Sequence, residues 1–190
     1  MMFKRSILAA MLLAVATPAL AHTGHDVVSG FLFGFSHPLG GLDHVLAMVS
    51  VGLFAALLGG RALWAPPASF VGMMLVGGIL GLSGIEVPAV EFGIAMSIVV
   101  LGAIVTWVRQ WPILAAVTLV GVFALFHGYA HGAEIPVGSD AALYSLGFAL
   151  ASAMLHGVGI SAGLLTSGST TVMRLTGAVV TMSGIIIAFG

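Results

Sequence analysis

The chain has no cysteine among its 190 residues, and only five Lys+Arg and six Asp+Glu. Absence of cysteine excludes disulfides, thiolate metal sites and iron–sulfur clusters. Any metal must then be held by imidazole, carboxylate, backbone oxygen or the ten methionines. Charged residues make up 6% of the chain, where a soluble domain carries about one quarter. So few charges cannot cover a domain, and the composition is that of an integral membrane protein. With a formal net charge of −1 and no basic stripe to meet phosphates, a nucleic-acid partner is excluded. The chain also lacks a Gly-Lys-Ser/Thr phosphate loop, so direct use of ATP is not expected.

What is present is apolar: 60% of the residues are hydrophobic. The N-terminus has the form of a secretory signal. Lys4 and Arg5 supply the positive end, Ile7 to Ala16 a short apolar core, and Ala19-Leu20-Ala21 a small-x-small cleavage site. Residues 1–21 are therefore expected to be a cleaved signal peptide and residues 22–190 one transmembrane domain. A helix needs about 20 apolar residues to cross a hydrocarbon core ~30 Å thick. On that basis six spans are expected at 39–59, 66–83, 87–108, 112–132, 141–164 and 171–189, an all-α bundle with no soluble domain. Residues 27–37 are apolar and Gly-rich, and Pro38 disfavours a helical His37. They are expected to form an interfacial or re-entrant piece leading into the first span.

Arg61, Arg109 and Arg174 fall in or beside the odd-numbered loops, whereas Glu86, Glu134 and Asp140 fall in the even-numbered ones. The positive-inside rule puts the arginine side in the cytoplasm. Both chain ends then face the periplasm of a bacterial inner membrane, which is also where a cleaved signal delivers the mature N-terminus. Gly72, Gly77 and Gly78 in span two, and Gly147, Ala149, Ala151 and Ala153 in span five, allow close helix approach. Spans one and four each carry an aromatic–His cluster and run in opposite directions, which fits a 3+3 inverted repeat.

Those clusters carry the chemistry. His37-Pro38-Leu39-Gly40-Gly41-Leu42-Asp43-His44 opens span one, and Phe126-His127-Gly128-Tyr129-Ala130-His131-Gly132-Ala133-Glu134 closes span four. An ionisable group at the bilayer centre costs at least ~2.5 kcal/mol and usually marks a function. His127, His131 and Glu134 stand at i, i+4 and i+7, on one helical face. Two imidazoles one turn apart with a carboxylate beyond make half a shell for a divalent cation. The competing view is a pair of interhelical hydrogen-bonding histidines with Glu134 solvated at the helix end. Asp43 needs a cation, a histidine or water to remain in this setting, or it caps the first helical turn after Gly40-Gly41.

Glu91, one turn inside span three, adds a third carboxylate at the same level. His156 lies about 20 Å down span five at 1.5 Å per residue. It is either a second station or a packed histidine bonded to a neighbour's carbonyl. His22 and His25, just after the cleavage site, form either a chelating tail with the freed α-amine or an ordinary polar terminus. Met48, Met73, Met74 and Met96 are core filler rather than a Cu(I) path. Imidazole with carboxylate suits Ni(II), Co(II) or Zn(II), and much less Cu(I).

At these residues the chain resembles the HupE/UreJ family of nickel-type metal permeases. The resemblance rests on the leader ending Ala-Leu-Ala-His22, on His37 to His44 followed by Val45-Leu46-Ala47-Met48, and on Phe126 to Glu134. Pro88-Ala89-Val90-Glu91 and His156-Gly157 add to it. It implies a six-span secondary transporter bringing Ni(II), in some members Co(II), inward for hydrogenase or urease maturation. The ion is then cargo rather than a bound cofactor, with the lipid bilayer as the other partner, and the chain is not an enzyme. The rival readings are an intramembrane zinc-dependent hydrolase, in which the same residues would activate water, a b-type haem carrier with paired axial histidines, and a purely structural membrane protein.

Overall fold

A computed structural model describes residues 30–135 and 140–190. The expected signal peptide and His22 and His25 lie outside the described residues. Seven α-helices and one 3-10 turn make up the fold, with no strand among the described residues. They are α1 (Gly30–Gly40), α2 (Leu42–Leu58), the 3-10 turn Gly60–Leu63, α3 (Ala65–Leu82), α4 (Val90–Trp107), α5 (Ile113–Ala133), α6 (Ala141–Thr166) and α7 (Thr170–Phe189). Five of them, α3 to α7, are each long and apolar enough to cross a membrane, and the α1–α2 pair makes a sixth if counted together. The last five spans lie within three residues of the expected ends.

Local chemistry accounts for the boundaries. Pro66 and Pro67 sit in the first turn of α3, where the missing donors are not needed. Asp140 caps α6, its carboxylate accepting from the Ala142 and Leu143 amides at 2.9 and 3.0 Å. Gly59 and Gly60 have φ of 69° and 54°, a region that favours glycine, and they turn the chain between α2 and α3. Helix α4 is bracketed by non-glycine residues in that same region, Ala89 at 56° and Val108 at 51°.

The first span differs from expectation. His37 is helical and Pro38 lies inside α1. The break comes later, at extended Gly41, where α1 meets α2 at 82°. Proline there forfeits one backbone bond, to the Gly34 carbonyl four residues upstream, and the rest of the helix keeps its own. Helix α1 also docks on α6. A Cβ at Gly34 would overlap the Tyr144 backbone, and one at Gly147 would overlap that of Phe31. This backbone-to-backbone contact holds the short helix against the bundle.

Three further helix pairs form the body: α2 with α6, α3 with α5, and α4 with α7. Small residues set each approach, as in membrane helix packing generally. Gly128 and Gly132 of α5 lie directly on the backbone of Met74 and Gly78 in α3. Gly52 of α2 faces His156 and Gly159 of α6, and Gly177 of α7 faces Thr106 of α4. Gly77 and Gly147 therefore serve as expected, whereas Gly72 has nothing near it. The buried core runs through Met48, Phe54, Phe70, Leu101, Val120 and Phe148.

Candidate metal-ion site

Three chain segments deliver the polar cluster to one end of the bundle. The last turn of α1 supplies His37, the first turn of α2 Asp43 and His44, and the last two turns of α5 His127 and His131, with Glu134 as the C-cap. Buried surface is scarce for polar groups, yet His44, His127 and His131 are all buried. His37 and Asp43 are half-buried and Glu134 is exposed, so the cluster grades from open to enclosed.

The rings crowd together. The His131 ring centre lies 4.5 Å from that of His44 and 4.8 Å from that of His37, and His44 is 5.3 Å from His127. Phe148 closes one side, 4.1 Å from His131. One chain of contacts orders the group. His44 Nδ1 stands 2.9 Å from Asp43 Oδ1, and His44 Nε2 stands 2.7 Å from His131 Nε2. An ionised carboxylate only accepts, so His44 donates from Nδ1 and presents a lone pair at Nε2. His131 then donates from Nε2 and is left with a bare lone pair at Nδ1, which is buried and has no partner.

His127 is fixed differently. Ser97 Oγ of α4 donates to the Ile94 carbonyl at 2.6 Å, so at 3.0 Å it accepts from His127 Nε2. That tautomer leaves His127 Nδ1 as a second buried lone pair without a partner. Buried polar atoms are normally satisfied, and uncapped imidazole lone pairs are what a cation would complete.

The donor set fits a divalent transition metal. His37, His131 and Glu134 each offer one ligand atom, all within 4.8 Å of one another. His37 Nε2 is 3.7 Å from Glu134 Oε2. A tetrahedral ion bonded at about 2.0–2.1 Å holds two nitrogens roughly 3.4 Å apart. Seating one between His44 and His131 therefore requires their nitrogens to part by about 0.7 Å from 2.7 Å and the His131 proton to leave Nε2 for Nδ1. Asp43 behind His44 is the carboxylate that fixes the tautomer and orientation of a metal-binding imidazole.

Six of the expected residues thus converge: His37, Asp43, His44, His127, His131 and Glu134. Glu91 does not join them. It stands at the same end of the bundle, in the first turn of α4, but it is exposed and has no ion pair or hydrogen bond among the described residues. Rotation about the helix axis explains this. Gly93 faces the Phe126 ring of α5, and Ser97, one turn on, faces His127. Glu91 is two residues from Gly93, about 200° around the helix at 3.6 residues per turn. His156 lies deeper, in an unbroken α6, and neither of its ring nitrogens has a partner, so it is not bonded to a neighbour's carbonyl.

Two residues that sequence reasoning passed over help to build the site. Ser97 sets the His127 tautomer, and Phe70 packs 5.4 Å from the His127 ring. A hydroxyl inside an apolar run was the available signal for Ser97. Phe70 carried none, being one of 11 phenylalanines. Tyr144, 6.0 Å from His37, adds a buried hydroxyl without a partner.

The family described as HupE / UreJ protein matches residues 9–187 of the chain. A relative named Protein HupE, from Rhizobium leguminosarum bv. viciae, is 41% identical over 190 residues, covering 98% of this chain and 100% of that protein. No solved structure matches the chain.

Proposed function

Since this chain belongs to the HupE/UreJ family, we propose that it is a secondary permease carrying a divalent transition-metal ion inward across the bacterial inner membrane. The cargo is Ni(II) first and Co(II) second, delivered for maturation of a hydrogenase- or urease-type enzyme. The observation that carries the reading is the Asp43–His44–His131 chain, with contacts of 2.9 and 2.7 Å, beneath a mouth formed by His37 and Glu134. Glu134 and His37 meet the hydrated ion, and imidazoles replace its water shell as it descends. Carboxylates at Glu134 and Asp43 offset its charge. Ligands graded from exposed to buried suit passage, because conduction requires binding weak enough for release.

Charge placement supports an external entrance. Gln110 Nε2, beside Arg109, donates to the Leu57 carbonyl at 2.9 Å, bringing that loop to the end of α2 near Arg61. Arg174 shares a cavity of about 380 Å³ with Trp107. The arginines therefore gather at the end opposite the histidines, and the positive-inside rule makes the histidine end external. The helix pairing is also what a 3+3 repeat would give. Exchanging the first three spans for the last three turns the α2–α6 pair into α5–α3 and maps α4–α7 onto itself. The family lends nothing to the zinc-hydrolase alternative.

Replacing His44 or His131 with alanine should lower radiolabelled Ni(II) uptake by more than ten-fold in proteoliposomes loaded with folded protein. Uptake at the wild-type rate in both variants ends the proposal. Competitive uptake of Ni, Co and Zn, with and without a proton gradient, would then identify cargo and driving force.

A further inference from the structure

Below the cluster a fourth buried imidazole stands alone. His156 is 1% exposed, and both of its ring nitrogens lack a partner. A neutral imidazole has one N–H and one lone pair, and leaving either buried and unsatisfied costs about 1–3 kcal/mol. A side chain that serves only to fill space would be selected without that penalty. Phe70 separates it from the cluster, its ring centre 5.1 Å from His156 on one side and 5.4 Å from His127 on the other. His127 Nδ1 is itself unpartnered. The next rung between the same two helices is Ser152 Oγ against Met74 Sδ at 3.8 Å. Those residues lie one turn from His156 on α6 and from Phe70 on α3. Behind His156, Gly52 brings the α2 backbone against its carbonyl and closes the site from that side.

Taking entry through the outer cluster as given, we propose that His156 is a second, inner binding station for a divalent late transition-metal ion, partitioned from His127 by the Phe70 ring. One imidazole, with a hydroxyl and a thioether one turn away and no carboxylate, binds a dication more weakly than the outer group. A weak second site is what onward movement requires, since an ion must leave each station to be conducted. The ring must turn aside for an ion to pass, so the two stations do not exchange freely.

The test is Co(II) titration of the full purified chain, followed by visible spectroscopy, together with uptake in proteoliposomes. Wild type is expected to take two equivalents. His156→Ala should lose the weaker one, keep the tighter, and fall at least ten-fold in uptake; retention of the tighter equivalent shows that the variant is folded. A second equivalent that persists, or uptake at the wild-type rate, overturns the proposal. His131→Ala separates the two ideas, because it should lose the tighter equivalent. If it loses neither equivalent nor uptake, the outer reading has failed and takes this one with it. Should His156→Ala not accumulate, His156→Cys decides. The natural chain has no cysteine, so a thiolate-to-Co(II) charge-transfer band can arise only at that position. Its absence from protein that still loads the outer equivalent overturns the proposal.

Discussion

Among single residues, Asp43 is placed to act through its neighbour. Its carboxylate fixes the His44 proton on Nδ1 and so turns the Nε2 lone pair toward His131. Asp43→Asn keeps the volume but removes the charge, and the amide can present a donor that reverses the tautomer. Loss of such an outer partner typically costs 10–100-fold in metal affinity. Half-saturation of Ni(II) uptake should rise by about that factor in Asp43→Asn while thermal stability stays near wild type. An unchanged half-saturation would deny Asp43 this role. His127 shows why protonation state is decided by partners rather than by residue type. With Ser97 already donating to Ile94, only one tautomer of the imidazole fits.

The helices were legible wherever apolar runs are punctuated by Gly, Pro or charge, as at Pro66-Pro67, Arg109 to Pro112 and Asp140. They were misread where one signal was allowed to decide. Pro38 argued for a break before it, yet a single proline forfeits only one backbone bond, here to Gly34, and Gly41 carries the turn instead. The clustered residues were legible because a histidine or aspartate in an apolar run is costly anywhere. That Glu91 stands apart from them was not, because spacing within one helix says nothing about how that helix is rotated against its neighbours. Gly93 and Ser97 fix that rotation, and the sequence does not say which neighbour either one faces. Packing at this scale yields a paired prediction. Gly128→Ala places a methyl group on the Met74 backbone and should destabilise the protein by about 1–3 kcal/mol. Gly72→Ala meets nothing and should be neutral or stabilising by about 0.5–1 kcal/mol. Melting temperatures in one detergent would compare them, and equal losses would contradict the α3–α5 contact.

Across the whole molecule, arginines cluster at one end and histidines at the other, and the proposed direction in the bilayer rests on that asymmetry. Ser83 follows α3 at the histidine end and Ser167 follows α6 at the opposite end, and both are exposed. A membrane-impermeant maleimide applied to spheroplasts should label Ser83→Cys and spare Ser167→Cys. The reverse pattern would put the histidine cluster on the cytoplasmic side and overturn the proposed outer entrance. The 82° angle at Gly41 bears on the entrance as well. His37 lies four residues from that hinge, a lever of about 6 Å, so tilting α1 by only 10° carries its backbone roughly 1 Å. Metal bonds tolerate only about ±0.2 Å. In the proposed permease, capture at the mouth would therefore be tuned remotely, by how firmly Gly34 lets a small crosswise helix rest on its neighbour. A methyl group there would loosen the grip on the ion while every ligand remained in the chain.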